Sequence, residues 1–231
     1  MYLTDTIFFT KMEKDLHKIN GRRYFNIVLN LAVPACFIGP AVMVITDVVT
    51  IALNHGINPI KQSISGFEAG HYGWLEKIGI ITIAMSFLFI SMNLLTAKEG
   101  QESRELKLGG VLLLIVAFGF LMTSLFNTHV IGTPMSYRGL IHRISFEIVS
   151  AAFYLFCLLF ILLVRHRPEF KYFGIYTGLT FLVAIGFLVA IIVTPDVNDY
   201  FGLWERIITG FNLVWIAVVG PQVIKLSKAR R

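Results

Sequence analysis

"SYRGLIHRISFEIVSAAFYLFCLLFILLVRHR", residues 136–167, opens with charged and hydrogen-bonding side chains and then runs through seventeen uncharged, mostly apolar residues between Glu147 and Arg165. A helix rises 1.5 Å per residue, so a hydrocarbon layer about 30 Å thick takes roughly 20 residues to cross. The stretch therefore reads as a membrane span with a polar lip. Arg138, His142 and Ser145 share one helical face, and Arg143, Glu147 and Tyr154 share another. The four-residue spacing makes Arg143 and Glu147 an expected ion pair where the span enters lipid.

The rest of the chain repeats the pattern. In 231 residues, 56% are hydrophobic and 15% charged, too apolar for one soluble core of that size. Counting apolar runs between charges gives spans at 24–52, 77–97, 108–127, 140–164, 173–194 and 204–224, each a helix because an isolated strand leaves its backbone unpaired in lipid. The expected fold is an all-α integral membrane protein with six transmembrane helices in one bundle. Residues 1–23 form a cytoplasmic amphipathic segment, 24–225 the transmembrane domain and 226–231 a basic cytoplasmic tail. Phe8, Met12, Leu16 and Ile19 recur at helical spacing opposite Lys11, Lys14 and Lys18, which predicts an N-terminal interfacial helix ending at Asn20-Gly21. The polar start and the length of the first apolar run argue against a cleaved signal peptide, so the first span is expected to stay.

Fifteen of the twenty Lys and Arg residues fall on one side of this plan, at 11–23, 98–107, 165–171 and 225–231. Lys61, Lys77, Arg138, Arg143 and Arg206 fall on the other. By the positive-inside bias both termini are expected in the cytoplasm and the chain in the cell (inner) membrane. The net charge of +6 is then accounted for by basic inner loops facing anionic headgroups, with no nucleic-acid partner implied. Cys36 and Cys157 lie inside spans, which argues against a structural disulfide. No phosphate-loop, nucleophile-elbow or zinc-protease motif is present.

Acidic residues collect on the outer side: Asp47, Glu68, Glu76, Glu147, Asp196, Asp199 and Glu205, with His55, His71, His129 and His142 beside them. Ionisable groups near hydrocarbon persist where they pair or line a wet cavity. Glu205, Thr209 and Asn212 share a face of the last span next to Arg206. These residues give the expected ligand-binding set: Arg138, His142, Arg143, Glu147, Glu205, Arg206, Thr209 and Asn212, with Asp47, Ser65, His71 and His129 as additional members. The expectation is an outward-facing cavity between the fourth and sixth spans, where Arg143 with Glu147 and Arg206 with Glu205 frame a lipid headgroup or small polar ligand for binding or modification. Ion pairs that merely hold helices together are the competing reading.

His129, His142, Asp47 and Glu147 have no diagnostic metal spacing, and His71 with His142 is the sole pair placed for a haem, so no metal or cofactor is expected. Gly39-Pro40 and Pro34 are sites at which the first span can break, a transporter feature. A transporter or a structural membrane partner are thus the alternatives, and neither an enzymatic activity nor an oligomeric state follows from the residues.

"INPIKQSIS", "FGFLMTSLFNTH", "GLIHRISFE" and "GLWERI", matched at Ile64-Ser65, Phe126, Gly139, His142 and Glu205-Arg206, resemble the prokaryotic six-span membrane family known only as domain of unknown function nine-nine-eight. The plan is distantly similar to the damage-regulated autophagy modulators and to lipid-remodelling proteins that act after GPI attachment. That likeness implies a lipid-linked role. No acid directly follows Ile64-Ser65, and Asn127-Thr128-His129 stands where those proteins carry a Pro-Asp type ending, so no catalytic residue is carried over.

Overall fold

The computed structural model describes residues 30–56, 58–97, 103–128, 134, 136–193 and 197–228. The expected interfacial helix at 1–23, His129, Asp196 and the last three residues lie outside them. All regular structure among the described residues is helical. The elements are α1 (Asn30–Leu53), the single-turn α2 (Ile64–Phe67), α3 (Gly73–Leu95), α4 (Ser103–Leu125), α5 (Tyr137–Val164), α6 (Lys171–Val193), α7 (Phe201–Val218) and α8 (Gly220–Lys228). Six stretches are long and apolar enough to cross a membrane, α7 and α8 together forming the last.

Most spans begin a few residues before the sequence places them: at Gly73 instead of 77, at Arg104 instead of 108 and at Tyr137 instead of 140. Counting between charges excludes Glu76, Lys107 and Arg138, yet the first turns of these helices accommodate them. An end turn has backbone groups with no intrahelical partner and sits where polar side chains can reach water or one another. Ser136 starts α5 in this way, its hydroxyl accepting the Gly139 N–H at 3.0 Å.

Pro34 and Gly39-Pro40 do not break α1, which is helical from residue 30 to 53. A proline removes one donor from the ladder, and neighbouring hydroxyls can take up the freed carbonyls. Ser86 of α3 donates to the Ala35 carbonyl at 2.7 Å, beside the region that Pro40 disturbs. The last span does deviate at Val219, between α7 and α8, where Pro221 has no N–H to continue the ladder.

Apolar side chains fill the interior and also cover the outside. Trp215 of α7 is fully buried, with Phe153 and Phe156 of α5 edge-on to its indole at 5.2 and 5.6 Å. Its Nε1 donates to Thr177 Oγ1 of α6 at 3.0 Å, which joins three spans at one residue. Ser91 of α3 donates to the Gly110 carbonyl of α4 at 2.7 Å. Outward-facing Leu162, Leu182 and Ile192 are largely exposed, a surface that hydrocarbon covers at no cost and water would not.

Candidate functional site

Asp47, Glu76, His142 and Glu205 lie at the same end of the bundle, because they sit at the end of α1 and in the first turns of α3, α5 and α7. The connection from α1 to α3 folds over this end. Asn58 Oδ1 accepts the Ile60 N–H at 2.9 Å and its carbonyl accepts from Lys61 and Gln62, a turn made by an Asn side chain ahead of Pro59. Ser63 then caps α2, its Oγ accepting the Gly66 N–H at 2.9 Å. Ile64 and Phe67 point into the bundle and are buried, so this turn is a packed cap.

The cap is fastened to the start of α7. Leu203 N donates to the Ile60 carbonyl at 2.9 Å, and Glu205 Oε2 accepts the Ile64 N–H at 2.5 Å. Arg206 supplies the rest. Its Nη1 donates to the carbonyls of Pro59 at 2.7 Å, Gln62 at 2.9 Å and Gly202 at 3.2 Å. Its Nε and Nη2 form a fork on Asp47 of α1, at 3.1 and 2.9 Å, and its guanidinium lies 5.4 Å from the centre of the Phe67 ring. Gly202 is required here, since a Cβ would run into the carbonyls of Pro59 and Gln62. Farther out, Lys61 and Asp199 pair at 2.8 Å; the hydrogen bond to Asp199, and then its charge, raise the pKa of Lys61, although both side chains are more than half exposed.

Beneath the cap lies an imbalance of charge. Glu68 is 3% exposed and neither of its carboxyl oxygens has a hydrogen-bond partner. Burial pushes this carboxyl up to about 8, the charge of Lys77 pulls it back and that of Glu205 adds to the rise. Glu76 is fully buried beside Asp47 and Thr50. Four carboxyl groups, Asp47, Glu68, Glu76 and Glu205, thus share the region with two cations, Arg206 and Lys77, the latter donating to Asn127 Oδ1 at 2.6 Å. Fully ionised, the set carries a surplus of two negative charges. Among the described residues no three His, Cys, Asp or Glu side chains converge closely enough to hold a metal ion.

The expected pairing of Arg206 with Glu205 is corrected by this geometry: Arg206 takes Asp47, and Glu205 takes a backbone N–H of the cap. Neighbours in sequence diverge by about 100° around a helix, so each reaches a different element. Arg143 and Glu147 do pair, at 2.9 Å, but their side chains are 67% and 60% exposed and they do not turn into the bundle. Arg138 is exposed. His142 is buried for another purpose. Its Nδ1 meets the carbonyls of Thr123 at 3.1 Å and Phe126 at 2.7 Å, so it donates to the last turn of α4 as a cap.

Thr209 and Asn212 are half-buried, Asn212 facing the hydroxyl of Tyr154. Ser65 is half-buried with its Oγ 3.5 Å from Ser63 Oγ, and His71 is exposed, edge-on to Tyr72. The structure therefore gathers Asp47, Glu205 and Arg206 from the expected set. It adds Glu68, Glu76 and Lys77; the two acids stand in the outer acidic group visible in the sequence, Glu68 with no basic residue next to it and Glu76 directly before Lys77.

Residues 37–221 match the family model described as "Protein of unknown function (DUF998)". The chain belongs to this family. No curated protein and no solved structure matches it. In this DUF998 chain the matched stretch holds every member of the carboxylate cluster, both cations and the whole cap from Asn58 to Gly73.

Proposed function

We propose that the carboxylate cluster beneath α2 binds the positively charged part of a lipid headgroup or small polar ligand, with the α2 end of the bundle facing outward. The observation that supports this most is Glu68, a carboxyl group almost wholly buried with no hydrogen-bond partner, in a region where carboxyl groups outnumber cations. An unpartnered buried carboxyl group keeps its proton because its ionised form costs several kcal/mol, and a cation brought to it offsets that cost and lets it ionise. Arg206 favours the same polarity. A guanidinium has five N–H groups, and the fork on Asp47 with the three carbonyls leaves at most one for an anion.

Native mass spectrometry of the purified protein tests the reading. Wild type is expected to carry an adduct that Glu68→Gln loses while keeping its monodisperse elution. Identical spectra from the two proteins would remove the basis for the proposal.

A further inference from the structure

The Asp47–Arg206 pair stands at the head of a seam between α1 and α7. The two helices run antiparallel here, and successive turns away from the pair bring Val44 and Pro40 of α1 opposite Leu213 and Ala217 of α7. Pro40, Ala41, Val44, Ile45, Leu213, Val214 and Ala217 line a groove of about 420 Å³ that is almost entirely apolar. It begins one turn, about 5 Å, inward from Asp47 and about 10 Å inward from Arg206. Between the pair and the groove lies Gly210, four residues from both Arg206 and Val214. A Cβ added to Gly210 would meet nothing within 4 Å, so there is open space at this turn.

A polar head, Asp47 with 16% and Arg206 with 18% side-chain exposure, thus stands one to two turns outward of an apolar trough on the same two helices. That shape suits an amphiphile better than a soluble molecule or another helix, either of which would match only one end. We infer that the groove holds the acyl chain of a lipid whose amine-bearing headgroup lies at the Asp47–Arg206 end, its ammonium drawn by the surplus carboxylates. This rests on the reading proposed above and names its ligand class. An anionic headgroup is disfavoured at the same place, because Arg206 is already committed to Asp47 and the three cap carbonyls.

The test uses the full chain in phosphatidylglycerol vesicles doped with a trace of phosphatidylethanolamine that carries a photoreactive acyl chain. A phosphatidylglycerol bearing the same chain serves as the parallel probe. Cross-links of the ethanolamine probe are expected to concentrate on peptides containing Val44-Ile45 and Leu213–Ala217. The glycerol probe and the groove-filling variant Ala41→Leu/Ala217→Leu should each lower that labelling roughly tenfold, the equivalent of losing about two buried methylenes of chain contact. Gly210→Leu, which has room for its side chain, should do the same by closing the seam, and all variants should keep the wild-type elution profile.

Labelling spread over the lipid-facing sides of α1, α5 and α6 in proportion to exposure, equal labelling by both probes, or no response to filling would overturn the inference. Excess free phosphoethanolamine separates the sources of the headgroup. If it displaces the adduct seen by native mass spectrometry while the groove stays unlabelled, the cluster binds a soluble amine and the lipid assignment fails alone. If Glu68→Gln changes neither adduct nor labelling, the underlying reading fails with it.

Discussion

Arg206 grips both carboxylate oxygens of Asp47, at 2.9 and 3.1 Å, across 159 residues of sequence. The pair joins the last span to the first, and the other N–H groups of the same guanidinium hold the cap down. Both side chains are less than one-fifth exposed, so removing one strands the other in a poorly solvated place. Asp47→Asn or Arg206→Gln should each destabilise by about 3 kcal/mol, read as a lower Tm in detergent. Asp47→Leu with Arg206→Met should recover part of that loss, and not all, because the carbonyls of Pro59 and Gln62 remain without their donor.

Arg143 and Glu147 make an ion pair of equal length, yet both face outward. Exposed pairs four residues apart contribute little. Arg143→Gln, Glu147→Gln and the double substitution should all stay within about 0.5 kcal/mol of wild type in thermal unfolding. The contrast with Asp47 and Arg206 is one of burial and of bonding, since Arg206 holds both oxygens of Asp47 and three carbonyls besides.

The number of spans was legible because lipid demands long apolar helices and charges punctuate them. Asp47 was legible as a problem, a lone acid among apolar residues, but its partner was not. Arg206 lies five spans away, whereas Glu205 is its neighbour, and helical geometry sends neighbours to different elements. His142 shows the same limit: a histidine at a helix start reads as a ligand, and only the fold reveals the carbonyls of Thr123 and Phe126 that it caps. The cluster beneath α2 was harder still, because a turn of four residues decides which acids are covered and which are wet.

We propose that the fifteen-to-five split of Lys and Arg sets the orientation of the bundle, with the α2 end outward and the termini inward. An impermeant maleimide applied to intact cells should label a cysteine placed at Gly70, which is exposed beside the cap, or at Thr133, and should spare one at Ser103. Labelling at Ser103 would reverse the orientation and with it the side from which a ligand approaches.

The contact of Gly202 with the cap carbonyls gives a prediction independent of charge. Gly202→Ala places a methyl group where the carbonyls of Pro59 and Gln62 lie, and the backbone at both sites must move. A loss of about 2 kcal/mol is expected, together with faster proteolysis of the α1–α3 connection. Gly186→Ala, at a position open on all sides in α6, is the control and should be neutral or slightly stabilising.

Glu68 makes stability depend on pH in a direction opposite to that of an ordinary paired carboxylate. Burial raises its pKa from 4.5 to about 8, so in the folded protein it keeps its proton through a range in which the unfolded chain has released it. Folding then binds a proton, and stability falls as pH rises between those two values. The contribution is fully present below about 4.5 and lost once pH passes about 8. Thermal unfolding of the ligand-free protein should show Tm declining across this window, and Glu68→Gln, which cannot ionise, should flatten the decline. Saturation with the amine-bearing lipid should flatten it as well, because an ammonium beside Glu68 stabilises the ionised form and replaces the proton. A decline of equal steepness in wild type and Glu68→Gln would assign the dependence to other groups.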